Sequence, residues 1–426
     1  MIAFARVEHI HAFLYGTAST IFAAAYYPTR LILEDDASLG PIQCFPQRIN
    51  HSPPAAGLLL DRPNRGHPVR ARVSTSCPIL AVAALFGCAG EQPKPLLLAA
   101  QGSFFVGGET KTSNELSAST KAPSVRSTGD VTVNQMYVQY QTPMSAGRHV
   151  PVVMVHGCCL SSKTWETTPD GREGWSEYFV RKGHSVYLAD QSSRARSGFD
   201  ATKINAVKLG HVPSSELPNI IMASHQTAWA LFRFGPTFGV AFPYEQFPVN
   251  SADELYKQMI PDLNAILPSP NPTLANMAVL AVRLGGAVLI GHSQSGFFPE
   301  RAALIDPTGI KGIVSIEDQC VTTLKPEELS RLTKIPILIM FGDHLIDAAG
   351  AESGGYAWSE VLDSCNQFVQ QVNHAGGNAQ MMYLPKMGIK GNSHMLMQDK
   401  NNLELADLIL KWIDHQIDGK RDGHPP

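Results

Sequence analysis

Charge is the first thing this chain is short of. Only 17% of its 426 residues are Asp, Glu, Lys or Arg, against roughly 25% in an average soluble domain. The formal net charge is -3, which offers no basic field for nucleic acid. An acidic disordered tail is equally unsupported. No apolar run reaches the roughly 18–20 residues of a membrane span. The 35 glycines and 30 prolines are spread along the chain, so collagen-like and low-complexity readings fall away. There is no internal repeat. No CxxC pair or His/Cys cluster has metal-ligand spacing, and neither a metal nor another cofactor is expected. What remains is a globular chain of enzyme size. At roughly 100–200 residues per domain it holds two or three units, or one large α/β domain with additions.

Its front end does not read as part of the fold. Residues 1–72 lack the periodicity of a packed domain. Then come Arg70-Ala71-Arg72, an apolar stretch from Pro78 to Phe86, and Leu85-Phe86-Gly87-Cys88. A basic region, a short apolar core and a small residue at the cut make a secretory signal. The ending resembles a bacterial lipobox in which Cys88 carries lipid, although Phe86 is bulkier than the residue usual there; a buried core segment is the other reading. On the signal reading translation starts near Val69 or Val73, residues 1–99 are a leader, and the protein is exported, either free or anchored through Cys88. The seven cysteines point the same way. Setting aside Cys44, Cys77 and Cys88 leaves Cys158, Cys159, Cys320 and Cys365, an even set that suggests disulfides in an exported protein, with three possible pairings.

From about residue 130 strands and helices alternate. Val131–Gln141 alternates as a strand should, and Pro151–Val155 is a short apolar run. A helix at Trp175–Arg181 is stopped by Gly183 and followed by a strand at Ser185–Ala189. A second helix runs from Asn271-Pro272 to Gly285-Gly286, with proline near its start and glycine past its end. A strand at Ala287–Ile290 follows, with further apolar runs at Gly312–Ile316, Ile335–Phe341 and Gln380–Leu384. The last helix, about Asn402–Ile417, places Leu405, Leu408, Ile409, Trp412 and Ile413 on one face. Short buried strands separated by helices predict an α/β fold, its largely parallel sheet covered on both sides. The connection between the strands at 185–189 and 287–290 is too long for a plain crossover. Its excess, about 198–268, carries Trp229, Phe232, Phe234, Phe238, Phe242, Tyr244 and Phe247 and reads as a cap over the active site, most of its aromatics filling a small core of the cap's own. Residues 419–426 form a polar tail.

The chemistry converges on Ser293. Gly291-His292-Ser293-Gln294-Ser295-Gly296 follows an apolar strand, as a nucleophile elbow does, although Ser295 stands where the second glycine of G-x-S-x-G is usual. A serine nucleophile needs a base, and the base an acid, in the order Ser, acid, His for this kind of sheet. His394, in Gly391-Asn392-Ser393-His394 just after the last strand, lies where the base belongs; His344 and His374 read as ordinary surface residues. For the acid, Glu317 and Asp343 both follow strands at the carboxyl edge of the sheet, and the residues alone do not separate them. Asp318 should point away if Glu317 points inward. Oxyanion N–H groups are expected from Gln294, after the nucleophile, and from Cys158 in His156-Gly157-Cys158-Cys159, with His156 holding that loop.

The run His156-Gly157-Cys158-Cys159-Leu160, then Thr164 to Arg172, Gly174-Trp175 and Glu177 to Gly183, resembles a small family of bacterial exported esterases of the α/β-hydrolase fold. The elbow resembles that family too, including Ser295, as do Gly391 to Met395 and Met397-Gln398-Asp399. The likeness covers roughly 100–418. It implies a serine esterase with Glu317 rather than Asp343 as the acid, acting on a small-molecule ester through an acyl-enzyme, and disulfides joining Cys158 to Cys159 and Cys320 to Cys365. One departure is Asp190 to Ser197, where Ser193 and Ala195 replace the family's glycines. Another acyl hydrolase with the same triad (lactonase, amidase or polyester hydrolase) and a non-catalytic binding protein of this fold are the competing readings.

Overall fold

The computed structural model describes residues 95–119, 127–144, 149–346 and 357–419. Residues 1–94 of the expected leader, with Cys44, Cys77 and Cys88, and all of the tail beyond Gly419 lie outside the described residues. Eight strands form one sheet in the order β1-β2-β4-β3-β5-β6-β7-β8. They are β1 (Leu98–Ser113), β2 (Gly129–Pro143), β3 (Val152–Val155), β4 (Val186–Asp190), β5 (Ala287–His292), β6 (Ile310–Ile316), β7 (Ile337–Phe341) and β8 (Ala379–Tyr383). The first two pairings, β1–β2 and β2–β4, are antiparallel; from β4 to β8 every pairing is parallel. The helices are α1 (Trp175–Arg181), α2 (Thr202–Lys208), α3 (His225–Leu231), α4 (Ala252–Gln258), α5 (Pro272–Arg283), α6 (Phe298–Ile305), α7 (Pro326–Leu332), α8 (Trp358–His374) and α9 (Asn402–Ile413).

The central strands are largely apolar, as in the Val152–Val155 and Ile337–Phe341 runs, because both of their faces are covered. In β3, Val152 and Met154 pack on one face with Trp175 and Phe179 of α1 and Leu405, Ile409 and Ile413 of α9. Val153 and Val155 point the other way, into a layer with Met277 and Leu280 of α5, Phe298 of α6 and Phe368 of α8. Local signals place the helices as the sequence suggests. The Asn271 side chain accepts the Thr273 N–H at 2.9 Å, with Pro272 opening α5, and Ser224 caps α3 by accepting the Thr227 N–H at 3.0 Å. Asp418 closes the far end. Its carboxylate accepts the Val150 N–H at 3.1 Å and pairs with His149 at 3.0 Å, tying the turn after α9 to the start of β3.

Two findings depart from the sequence reading. The expected leader boundary at 99 falls two residues inside β1. Most of that edge strand's side chains face solvent, so it carries no hydrophobic alternation to announce it. The aromatics of the long connection do not form a small core of their own: Trp229, Phe232, Phe234 and Phe247 join the same apolar cluster as β3, α1 and α9. Phe234 stacks on Phe247 with centroids 3.9 Å apart, and Trp229 meets Phe234 edge-on. The insertion is thus continuous with the main core.

Cys320, just past β6, is disulfide-bonded to Cys365 of α8, closing a separation of 45 residues. A cross-link over a loop of that size constrains the unfolded chain by about 2–4 kcal/mol. Replacing both cysteines by serine is expected to lower the denaturant midpoint correspondingly under oxidising conditions and to leave the far-UV circular dichroism unchanged.

Candidate active site

Ser293 sits at φ +55 between β5 and the turn that enters α6, a left-handed conformation that a side chain adopts only under constraint. That strain lifts its hydroxyl above the end of the sheet, and the residue is partly exposed. Ser295, standing at the usual second glycine, is part of the brace. Its Oγ accepts the His292 N–H at 3.1 Å and donates to the Val155 carbonyl at 2.9 Å, pinning the elbow to the end of β3. The glycine instead falls at Gly296, where a Cβ would lie 2.8 Å from Asp318 Cα. On the other side of Ser293 is the loop after β3. A methyl group at Gly157 would lie 2.9 Å from Ser293 Cβ, so the loop bearing Cys158 is packed directly against the serine.

His394 is buried beside this elbow. His292 Nε2 donates to the His394 carbonyl at 2.9 Å and the two rings are 4.7 Å apart. Burial above all, with His394 next to it, pushes the His292 pKa down to about 3, so its ring is neutral. His394 Nδ1 lies 3.1 Å from Glu317 Oε2. A carboxylate only accepts, so Nδ1 carries the proton and Nε2 keeps its lone pair. Burial lowers the His394 pKa; Glu317 opposes that fall and Arg233 adds to it.

The Glu317 carboxylate is wholly buried, at φ +53. Oε1 accepts the Gly342 N–H at 2.7 Å and Arg233 Nη2 at 2.6 Å; Oε2 accepts Arg233 Nη1 at 2.8 Å as well as the histidine. Burial alone would raise its pKa, but Arg233 and His394 overcome that and bring it down to about 2. Asp343 is engaged elsewhere: its carboxylate accepts the Gly391 N–H at 2.9 Å and the His344 N–H at 2.8 Å, bracing the loop that carries His394. Asp318 turns away from the histidine, as expected of it, towards Glu300. Both carboxyls are buried, and burial, with Asp318 adding to it, raises the pKa of Glu300. On the histidine loop, Asp399 accepts the Ser393 N–H at 3.0 Å and its hydroxyl at 2.6 Å, and the Asn392 amide at 2.8 Å.

At the opposite wall His156 donates from Nδ1 to the Gly157 carbonyl at 2.9 Å and accepts the Gln191 N–H at Nε2, 3.2 Å away. Burial drops its pKa to about 4, so it holds the loop as a neutral ring. Cys158 and Cys159 stand here as thiols, not as the bonded pair the resemblance implies. Their sulfurs are 2.7 Å apart, and Cys159 takes a positive φ of +59. Asp262 from the insertion collects three donors at this wall: Cys158 Sγ at 3.2 Å, Gln294 Nε2 at 2.7 Å and the buried guanidinium of Arg194.

Two histidine expectations divide. His374 is exposed at the end of α8. His344 is not a surface residue; it is 7% exposed and stacks on Phe242 of the insertion at 4.2 Å, because the insertion covers the end of β7. Sequence reading also missed Arg233, which has no motif around it; the one available signal was a basic residue embedded among Phe232, Phe234 and Trp229.

A strained serine elbow on a parallel strand, the loop of the neighbouring strand β3 packed against it, and a buried histidine–carboxylate pair are the kind of arrangement a serine hydrolase carries on an α/β-hydrolase sheet. The chain is 51% identical to a solved bacterial esterase described as novel, with a TM-score of 0.71 over 76% of this chain and 98% of that one. It is also 26% identical, over 66% of its length and 86% of the relative's, to the probable secreted lipase phiG of a fungal species. No family model matches the chain. The protein belongs to the family of that bacterial esterase, within the α/β-hydrolase fold.

Ser193 and Ala195, at the positions where the family resemblance calls for glycine, have φ of +61 and +41. A side chain in that region costs about 1 kcal/mol or more, only partly offset by glycine's greater entropy loss on folding. Ser193→Gly and Ala195→Gly are each expected to leave stability unchanged or raise it by up to about 1 kcal/mol, read from denaturant midpoints. Destabilisation by either would mean that the loop conformation is not strained.

Proposed function

We propose that the protein is an exported serine esterase in which Ser293 attacks the acyl carbon of a small-molecule ester and Glu317 orients His394 as the general base. The observation that carries this reading is the His394 Nδ1–Glu317 Oε2 bond of 3.1 Å, buried beside a serine held at a strained elbow. With Nδ1 committed to the acid, Nε2 takes the serine proton and returns it to the leaving alcohol. The developing oxyanion is held by the backbone N–H groups of Gln294 and Cys158; the close packing of the Gly157–Cys158 turn on Ser293 supports that placement. Water then attacks the acyl-enzyme with His394 again as base. The choice of an ester among acyl substrates is supported by the bacterial relative, which is itself described as an esterase.

The same reading gives the two adjacent cysteines a role. In the oxidising compartment of an exported chain the Cys158 and Cys159 thiols join as a disulfide, passing two electrons and two protons to a disulfide oxidant there by thiol–disulfide exchange; their sulfurs, 2.7 Å apart as thiols, approach to the roughly 2.05 Å of a bond, and the closed ring then fixes the turn that presents the Cys158 N–H. Export is supported by the front-end signal pattern and by the secreted character of the fungal relative. On this reading the signal is cut before Cys88, which is the candidate lipid attachment point, and the hydrolase domain runs from β1 to about 418 with its insertion at about 198–268.

Labelling of the oxidised protein with a fluorophosphonate, mapped by mass spectrometry, tests the assignment without requiring the right substrate. The adduct is expected on the peptide holding Ser293 and is expected to be lost in His394→Ala, with p-nitrophenyl ester hydrolysis falling on the order of 10³-fold or more in Ser293→Ala. A folded protein that takes no label would put a non-catalytic binding protein in place of the esterase.

A further inference from the structure

Glu317 is held by a residue that comes from outside the sheet. Arg233 follows α3 in the insertion, is wholly buried, and lays both ends of its guanidinium across the two carboxylate oxygens at 2.6 and 2.8 Å. Its Nε donates to the Asp343 carbonyl at 2.8 Å, and its charged group lies 4.6 Å over the ring of Trp358. Counting the Gly342 N–H and His394 Nδ1, four donors meet the four lone-pair directions of one carboxylate. The acid has no freedom to rotate away from the histidine. The preceding residue reinforces the contact: the Phe232 carbonyl accepts the His394 N–H at 2.9 Å, and its ring stacks on the imidazole at 5.5 Å.

We propose that Arg233 is a positioning residue of the Ser293–His394–Glu317 machinery, supplied by the insertion, which fixes the Glu317 carboxylate and restrains the basicity of His394. The proposal rests on the esterase reading above. Its electrostatic basis is that one anion is shared between two cations whenever the imidazole gains a proton, with Arg233 Nη1 only 3.5 Å from His394 Nδ1. A fixed like charge at that distance opposes protonation. A guanidinium suits the place because its planar fork satisfies both oxygens at once, which an ammonium does not.

Other groups face the same histidine or its loop. His292 stays neutral, its pKa driven by burial to about 3. Asp399, raised chiefly by burial to about 7, lies behind Ser393, where its own proton adds to any pH–activity profile. Glu245, on the insertion, is raised chiefly by burial to about 9, and Asp343 braces the loop. The test therefore observes the imidazole directly. In Arg233→Gln the His394 ring resonance, identified by its absence in His394→Ala, is followed by NMR against pH beside the acid limb of kcat/KM for a p-nitrophenyl ester.

The sign follows from removing a positive neighbour. The imidazolium becomes easier to form, so the His394 midpoint and the acid limb are expected to move up by about one pH unit, with kcat reduced and KM nearly unchanged. Arg233→Lys keeps the charge and loses the fork; its midpoint is expected to stay near that of the wild type while kcat falls. It also serves if the glutamine variant does not fold. A folded glutamine variant with an unshifted midpoint, or a lysine variant shifted as far as glutamine, would overturn the proposal and reduce Arg233 to an anchor for the insertion. The NMR titration reads the coupling independently of turnover. A wild type that takes no fluorophosphonate fails the esterase reading instead, and the two failures stay distinct.

Discussion

A carboxylate with no access to water has to be compensated by fixed donors, and much of the active-site wall is arranged around doing that for Glu317. An isolated buried anion protonates; here Arg233 holds it ionised. That single requirement brings an arginine out of the insertion, places Trp358 of α8 beneath the guanidinium, and fixes which nitrogen of His394 carries the proton. Disulfide-bonded Cys320 lies three residues beyond Glu317, on the chain that leaves β6, and its partner Cys365 belongs to the same α8 as Trp358. The acid is therefore fastened by chemistry on one side and by covalent linkage on the other.

The sheet explains why these groups meet at all. Parallel strands end at a common edge, and the Ser293 elbow, Glu317, Asp343 and the His394 loop each follow one of β5, β6, β7 and β8. Position along the chain is thereby converted into proximity. The opposite wall is organised by Asp262, which gathers Arg194, Gln294 and Cys158. Both walls consequently draw on the insertion, Arg233 and Phe232 for the histidine side and Asp262 for the side of the Cys158 loop.

Most of the sheet was legible in the sequence because buried parallel strands are short apolar runs, and Pro151–Val155, Ala287–Ile290 and Ile335–Phe341 are such runs. Ser293 was legible for a local reason, since an elbow needs small neighbours within a few residues. The pairing of His394 with Glu317 was not legible from the residues, because Glu317 and Asp343 both follow strands at the same edge; the resemblance chose between them, and the structure shows Asp343 bonded to Gly391 and His344 in place of the imidazole. Arg233 and Asp262 were invisible because the partners they gather at the site lie at least 84 and at least 32 residues away respectively and their spacing follows no period. The edge strand β1 was missed for the opposite reason: it has too little buried surface to leave a pattern.

The Phe232 carbonyl that receives the His394 N–H ties the relay to the insertion. One short stretch after α3 supplies the histidine loop with a backbone partner and the acid with its counter-ion. The nucleophile depends on β5 and β3, whereas its base and acid depend on the insertion as well. A change in how that stretch packs therefore reaches both members of the relay at once, without touching the serine.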